Sequence, residues 1–230
     1  MNQQQQWKRM AAEAAIAEVE EGMVVGLGTG STAAFAIKKL GELIQKGQLK
    51  RVVGIPSSLA TEALARQCGI PLVSFEDRPV IDLTIDGADQ VDPALNLIKG
   101  GGGALLREKI LAQNSRQVLI VVDQSKLCQK LGEGFALPVE VLPFGWFPEK
   151  LFLASLGAQV TLRRGADGQP FLTDQQNYIL DCLFPGIDDP QALDRQLKGR
   201  AAILENGLFL NLASRVIVAG EEGPRVLQPA

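Results

Sequence analysis

Histidine is absent from the 230 residues of this chain. That gap removes Ser-His-Asp triads, Cys-His dyads, histidine-ligated metal sites and imidazole acid-base chemistry. Any proton abstraction must fall to Asp, Glu, Lys, Tyr or Cys. Cysteine is scarce: Cys68, Cys128 and Cys182 are odd in number, far apart and not in a C-x-x-C pair, which excludes a zinc finger and fits a reducing compartment. Neither sign of charge dominates. Lys and Arg total 23 against 26 Asp and Glu, a net charge of −3 with no basic run, so a nucleic-acid footprint is disfavoured and a small-molecule partner expected. No apolar stretch is long enough to span a bilayer, and the polar opening around Gln3–Gln6 lacks the basic and apolar regions of a signal peptide. The expectation is therefore no membrane partner and a cytoplasmic location. What is present, 46% hydrophobic and 21% charged residues, is the composition of an ordered globular protein of one large or two modest domains.

Met10, Ala11, Ala14, Ala15 and Val19 recur at helical spacing, predicting an amphipathic helix from Lys8 to Glu20, ended by Gly22. The apolar runs 23–27, 51–55, 80–85 and 118–123 predict strands, with helices at 33–44, 59–67 and 104–113 between them. Strands this apolar, alternating with helices, point to a Rossmann-like parallel sheet covered on both faces. Beyond Leu131 the pattern changes: Pro138, Pro143 and Pro148 break the chain, a helix is predicted at 150–156, and strands at 159–163 and 178–181. This suggests a smaller α+β (ferredoxin-like) domain. The expected division is residues 1–130 with 206–230 as the Rossmann-like catalytic domain and 131–205 as the second, serving oligomerisation. The β-like stretch 207–220 would return to the first sheet.

In open α/β sheets ligands sit outside the carboxyl ends of the strands. Here those positions are small and polar: Thr29, Ser31 and Thr32, then Ser57 and Ser58, Asp86 and Asp89, and Asp123, Ser125 and Lys126. Gly28-Thr-Gly-Ser-Thr at a strand-to-helix turn can aim backbone N–H groups and hydroxyls at a phosphate. The same residues satisfy G-x-G-x-x-A through Gly28, Gly30 and Ala33, but no acid for a ribose follows the second strand, and no Lys precedes Ser31 to make a Walker A loop. A plain tight turn is the structural alternative. Asp86-Gly-Ala-Asp89 is by itself equally a turn and helix cap. Metal is not expected, because Lys99 and the neighbouring glycines supply no oxygen ligands of the kind magnesium favours. Four glycines, Gly100–Gly103, sacrifice backbone entropy yet permit close approach of a ligand. The triplet Arg107-Glu108-Lys109 is in isolation a solvated face; the lack of histidine is what raises Glu108 as an acid-base group.

Taken in order, Gly28-Thr-Gly-Ser-Thr, Ser57-Ser58, Asp86-Gly-Ala-Asp89, Lys99-Gly-Gly-Gly-Gly-Ala-Leu-Leu-Arg-Glu108-Lys and Asp123-Gln-Ser-Lys126 resemble ribose-5-phosphate isomerase of the A type. Pro138-Val-Glu-Val-Leu-Pro and Asn206-Gly-Leu-Phe resemble further blocks of that family, so the likeness runs from about Lys8 to Gly220. It implies interconversion of ribose 5-phosphate and ribulose 5-phosphate through a cis-enediolate, in the pentose phosphate pathway and in the Calvin cycle of photosynthetic organisms, with neither cofactor nor metal. It also implies a homodimer or homotetramer. By motif position Glu108 matches the base, and Asp86, Asp89 and Lys99 the other catalytic positions. Thr29, Gly30, Ser31, Thr32, Gly87, Ala88, Gly100, Gly101, Gly102 and Lys126 match substrate contacts, with Lys8 as a further candidate. The aspartate motif is followed by Gln90 where the family commonly has an acid. Two alternatives share the superfamily: a sugar-phosphate-binding sensor and a CoA-transferase-like protein. The short segment before the first strand is too small for a helix-turn-helix domain, which weighs against the sensor. A nucleotide-dependent oxidoreductase would require a cofactor that pure pentose phosphate does not supply.

Overall fold

A capping box opens the fold. In the computed structural model, which describes residues 2–229, the Asn2 side chain accepts the Gln5 N–H at 2.9 Å and the Gln5 side chain accepts the Asn2 N–H at 3.2 Å. Helix α1 (Gln3–Ile16) therefore begins inside the glutamine run. The sequence predicts this helix over Lys8–Glu20; glutamine is a good helix former once capped, and after Ile16 the chain turns at once, with Gly22 in a second turn just before β1. Then come β1 (Val24–Leu27), α2 (Ser31–Gln45), β2 (Val53–Pro56), α3 (Leu59–Gln67), β3 (Ile81–Asp86), β4 (Gln90–Val91), β5 (Leu97–Ile98), α4 (Leu105–Gln113) and β6 (Ser115–Asp123). The remainder is β7 (Leu137–Val141), α5 (Trp146–Ser155), β8 (Gln159–Leu162), β9 (Tyr178–Leu183), α6 (Pro190–Lys198), β10 (Ile203–Asn206), β11 (Leu208–Phe209), β12 (Arg215–Gly220) and β13 (Gly223–Leu227).

The chain forms two compact units. The first comprises the described residues up to Ala88, Arg107–Lys126 and those from Asn211 onward. Its sheet has the order β13-β12-β6-β3-β1-β2, parallel except for the antiparallel edge strand β13. Ala11, Ala12, Ala15 and Ile16 of α1 and Ala36, Ile37 and Leu40 of α2 pack with Leu27, Leu83, Ile85, Leu119 and Val121 in one core cluster. Val24, Ile55, Ile81 and Leu111 form a separate cluster. Each large side chain buried in this way contributes about 1.5–3 kcal/mol. β1 leads out to β2 on one side while β3 leads to β6 on the other, so the strand order reverses between β1 and β3. A ligand crevice is expected outside their carboxyl ends.

The second unit comprises Asp89–Leu106 and Leu127–Leu210. In chain order β7-α5-β8-β9-α6-β10 is a β-α-β-β-α-β unit, and its antiparallel sheet has the order β10-β7-β9-β8, the ferredoxin-like arrangement of two split βαβ units. A small sheet, β11-β5-β4, completes it. Because β11 pairs with β5, residues 89–106 group here and not with the first unit, where the sequence places them. The stretch 207–220 divides for the same reason: β11 joins the small sheet, and only β12 returns to the parallel one. Glu140, fully buried on β7, accepts at Oε1 from Thr173 Oγ1 and Asn177 Nδ2, each at 2.9 Å. Burial pushes its carboxyl above the usual range despite these two bonds, and Glu205 and Asp174 add to the rise.

Candidate active site

In the first unit the site is organised by the close approach of β1 and β3. A Cβ on Gly28 would lie 2.1 Å from Asp86 Oδ1 and 2.6 Å from Asp86 Cα, so only glycine lets the turn after β1 pass. Buried Asp86 accepts from the Thr29 N–H at 3.1 Å and the Gly87 N–H at 2.7 Å. The Thr29 hydroxyl joins a cluster with Ser57, Ser58 and Thr61 at 2.7, 2.8 and 3.0 Å. Thr61 Oγ1 donates to Gly28 O at 2.9 Å. Of the residues expected to touch substrate, Thr29 thus has its N–H and its hydroxyl engaged within the protein, and Ser57, Ser58 and Thr61 brace the turn.

Beyond that turn, Gly30 caps α2 without a side chain, and no acidic residue occupies the first turn. The N–H groups of Ser31, Thr32 and Ala33 have no partner in the helix by construction, and they combine with its positive dipole end to favour an anion. Lys8 reaches this point from α1: its Nζ donates to Ser31 Oγ at 3.1 Å. At the end of β6, fully buried Asp123 accepts the Ser125 N–H at 3.0 Å. That caps the 3-10 turn Gln124–Lys126, which carries the partly exposed Lys126. Glu108 lies in the first turn of α4. It and Lys109 are only 5% and 2% exposed, so the charged triplet is not a solvated face. α4 turns Glu108 and Lys109 inward, and the carboxylate sits near the helix N-terminus, where negative charge is favoured.

In the second unit Asp89 and the glycine loop lock together. The Asp89 N–H donates to Ile98 O at 2.8 Å, and its Oδ2 accepts the Gly101 N–H at 2.8 Å. The family resemblance places substrate contacts at Gly100–Gly102; the N–H of Gly101 is already committed to Asp89. Lys99 is 3% exposed, with its Nζ 5.3 Å from the centre of the Phe209 ring. Its backbone N–H donates to Gly207 O at 2.9 Å, while the Gly207 N–H donates to Pro138 O at 2.8 Å. Any other residue at 138 would offer a hydrogen to the Gly207 carbonyl; proline has none, and the carbonyl goes to Lys99. This is why Pro138 sits inside β7 instead of breaking the chain. Arg163 also grips the loop and carries no motif signal in the sequence. Two of the thiols do not compete as acid-base groups: burial pushes Cys128 and Cys182 up.

Residues 53–223 match the family model of ribose 5-phosphate isomerase A (phosphoriboisomerase A). The chain belongs to this family. Ribose-5-phosphate isomerase A of Desulfatibacillum aliphaticivorans is 55% identical over 230 residues, covering 100% of both chains. The probable ribose-5-phosphate isomerase 3, chloroplastic, of Arabidopsis thaliana is 46% identical over 226 residues, covering 96% of this chain and 82% of its own. Among solved structures, a D-ribose-5-phosphate isomerase in complex with phospho-erythronic acid superposes with a TM-score of 0.96 at 40% identity, covering 99% of this chain and 100% of its own. The activity is accordingly that of a pentose phosphate isomerase acting on a small sugar phosphate. A sensor or CoA-transferase-like role is not favoured. The plant relative's chloroplast location agrees with a Calvin-cycle setting for such enzymes. Among the described residues no helix is long and apolar enough to cross a membrane.

Proposed function

We propose that Glu108 is the base that carries hydrogen between C1 and C2 of the pentose phosphate, through a cis-enediolate. One observation supports this above the others: in a chain without histidine, a buried carboxylate stands in the first turn of a helix that follows a glycine loop. A sugar C–H is a very weak acid, so negative charge developing on oxygen must be met by fixed donors and cations. Lys99 supplies the cation, with Gly100 and Gly102 of the loop. Asp86, with Asp89 and the intervening Gly87 and Ala88, handles ring opening and the hydroxyl protons. Ser31, Thr32, Lys126 and Lys8 hold the phosphate beside Thr29 and Gly30. The reaction balances by proton transfers alone, so no cofactor or metal enters the scheme. A relative's ligand, phospho-erythronic acid, carries a phosphate and a carboxylate, groups suited to an anion cradle and a cation.

Glu108→Gln should lower kcat by roughly 10²–10⁴-fold while calorimetry still detects ribose 5-phosphate binding. Turnover near that of the unmodified enzyme would overturn the assignment. The second unit is also assigned to self-association as a homodimer or homotetramer, supported by Phe144, Phe147 and Leu151, large apolar side chains exposed at and beside α5. Sedimentation equilibrium on the same two proteins reads this directly, and a monomer would remove it. A cytoplasmic location is the accompanying reading, supported by three free thiols. Microscopy of a fluorescent fusion finding it exported would refute that.

A further inference from the structure

Arg163, just past β8, holds the glycine loop from the side opposite Asp89. Its Nη1 donates to two consecutive carbonyls, Gly100 O and Gly101 O, each at 3.1 Å. The rest of the fork is fixed to β9: Nε donates to Asp181 Oδ2 at 2.9 Å and Nη2 to Asp181 Oδ1 at 2.5 Å. The main chain beneath it is held as well, with the Arg163 N–H on Ile179 O and its carbonyl accepting from Phe171, both at 2.9 Å. The guanidinium also lies 5.9 Å from the centre of the Phe171 ring. Only 15% of the side chain is exposed. A surface arginine chosen for solubility would not spend its donors this way.

In a planar trans peptide the C=O and N–H point to opposite edges. Holding the oxygens of Gly100 and Gly101 on one side therefore turns the N–H groups of Gly101 and Gly102 to the other. The first of these meets Asp89, as described above. Consecutive glycines have the largest backbone freedom to lose, and donors that must reorganise during reaction stabilise charge less than donors already in place.

We propose that Arg163 is a positioning residue for the isomerisation. Its fork, anchored by Asp181, immobilises the glycine loop so that Asp89 and the Gly102 N–H are set before charge develops. This rests on the role given to the Lys99 loop under Proposed function. The test measures kcat and KM for Arg163→Ala, Arg163→Lys, Lys99→Ala and Arg164→Ala, each checked for folding by circular dichroism. Arg163→Ala should lose about tenfold to a hundredfold in kcat, the scale of a misplaced reactive geometry, with KM within about twofold because the phosphate cradle is intact. Added guanidinium ion at millimolar concentration should restore part of that kcat. Arg163→Lys, which keeps the charge but cannot bridge two carbonyls and a carboxylate, should fall between. Arg164→Ala, whose guanidinium holds Gly168 O, should match the unmodified enzyme. Unchanged kcat in Arg163→Ala overturns the proposal, as does a loss that guanidinium leaves untouched. Full turnover in Lys99→Ala would overturn the loop's role itself, a failure separable from that of Arg163 alone.

Discussion

Two glycine-rich stretches carry the candidate chemistry, and they are built on opposite plans. Gly28–Thr32 in the first unit ends in a helix whose opening turn has no side-chain cap, leaving donors outward beside Lys8. Gly100–Gly103 in the second unit is tied down: Asp89 takes one N–H, Arg163 two carbonyls, and the Gly103 N–H donates back to Gly100 O. The proposed roles of the two loops account for the difference. A phosphate that does not react needs donors still available, because its binding energy is drawn on to position the rest of the substrate. An oxygen that becomes charged only in passing needs donors that do not move.

The sharpest way to break this contrast is to add one methyl group to each loop. Gly28→Ala drives a Cβ to 2.6 Å from the Asp86 Cα, so backbone must shift, and kcat should drop by about a hundredfold or more. In Gly101→Ala the nearest atoms are the Asp89 carboxylate oxygens at 2.8 and 3.0 Å, the far end of a side chain, and the loss should be smaller. Steady-state kinetics on the pair decides it; equal losses would mean that the Asp89 carboxylate yields no more readily than the backbone against Gly28. Next in size is Lys8→Ala, which removes a cation from the cradle only. We expect KM for ribose 5-phosphate to rise about tenfold, with a shallower salt dependence. A change confined to kcat would move Lys8 out of phosphate binding.

The smallest expected effect concerns stability. Both units bury carboxylates, Asp86 and Asp123 in the first and Glu140 in the second. The Glu140 carboxyl is raised in the folded protein, chiefly by burial, so the folded state prefers the proton. The stabilisation is complete below the ordinary glutamate value of about 4.3 and is lost as pH rises through the raised value. Glu140→Gln cannot ionise. Its stability relative to the unmodified protein should therefore climb as pH rises above the ordinary glutamate value, read as the difference in urea midpoints. A difference that stays flat with pH would mean that the carboxyl does not titrate in this way.

Much of the first unit is legible in the sequence because most of its parallel strands carry a buried apolar run, and the motifs from Gly28 to Lys126 mark the strand ends; the edge strand β13, Gly-Pro-Arg-Val-Leu, has no such run and gives no signal. The second unit hides its order. β4, β5 and β11 are two residues long and show no alternation, and β7 carries a proline. α6 does hold its start signals, with Asp189 accepting the Ala192 N–H at 2.8 Å and Pro190 in the first turn, but in a stretch without a recognisable block. Arg163 is illegible for a different reason. Its meaning depends on register, Thr161 opposite Asp181, and on carbonyls some sixty positions earlier, a pairing that no local pattern records.

Pro138 works by what it withholds. An imino acid in the middle strands of one sheet leaves a single carbonyl unclaimed, and the main chain of Lys99 settles there. The address of that ammonium is thus written partly in a residue with no charge, no hydroxyl and no hydrogen to give.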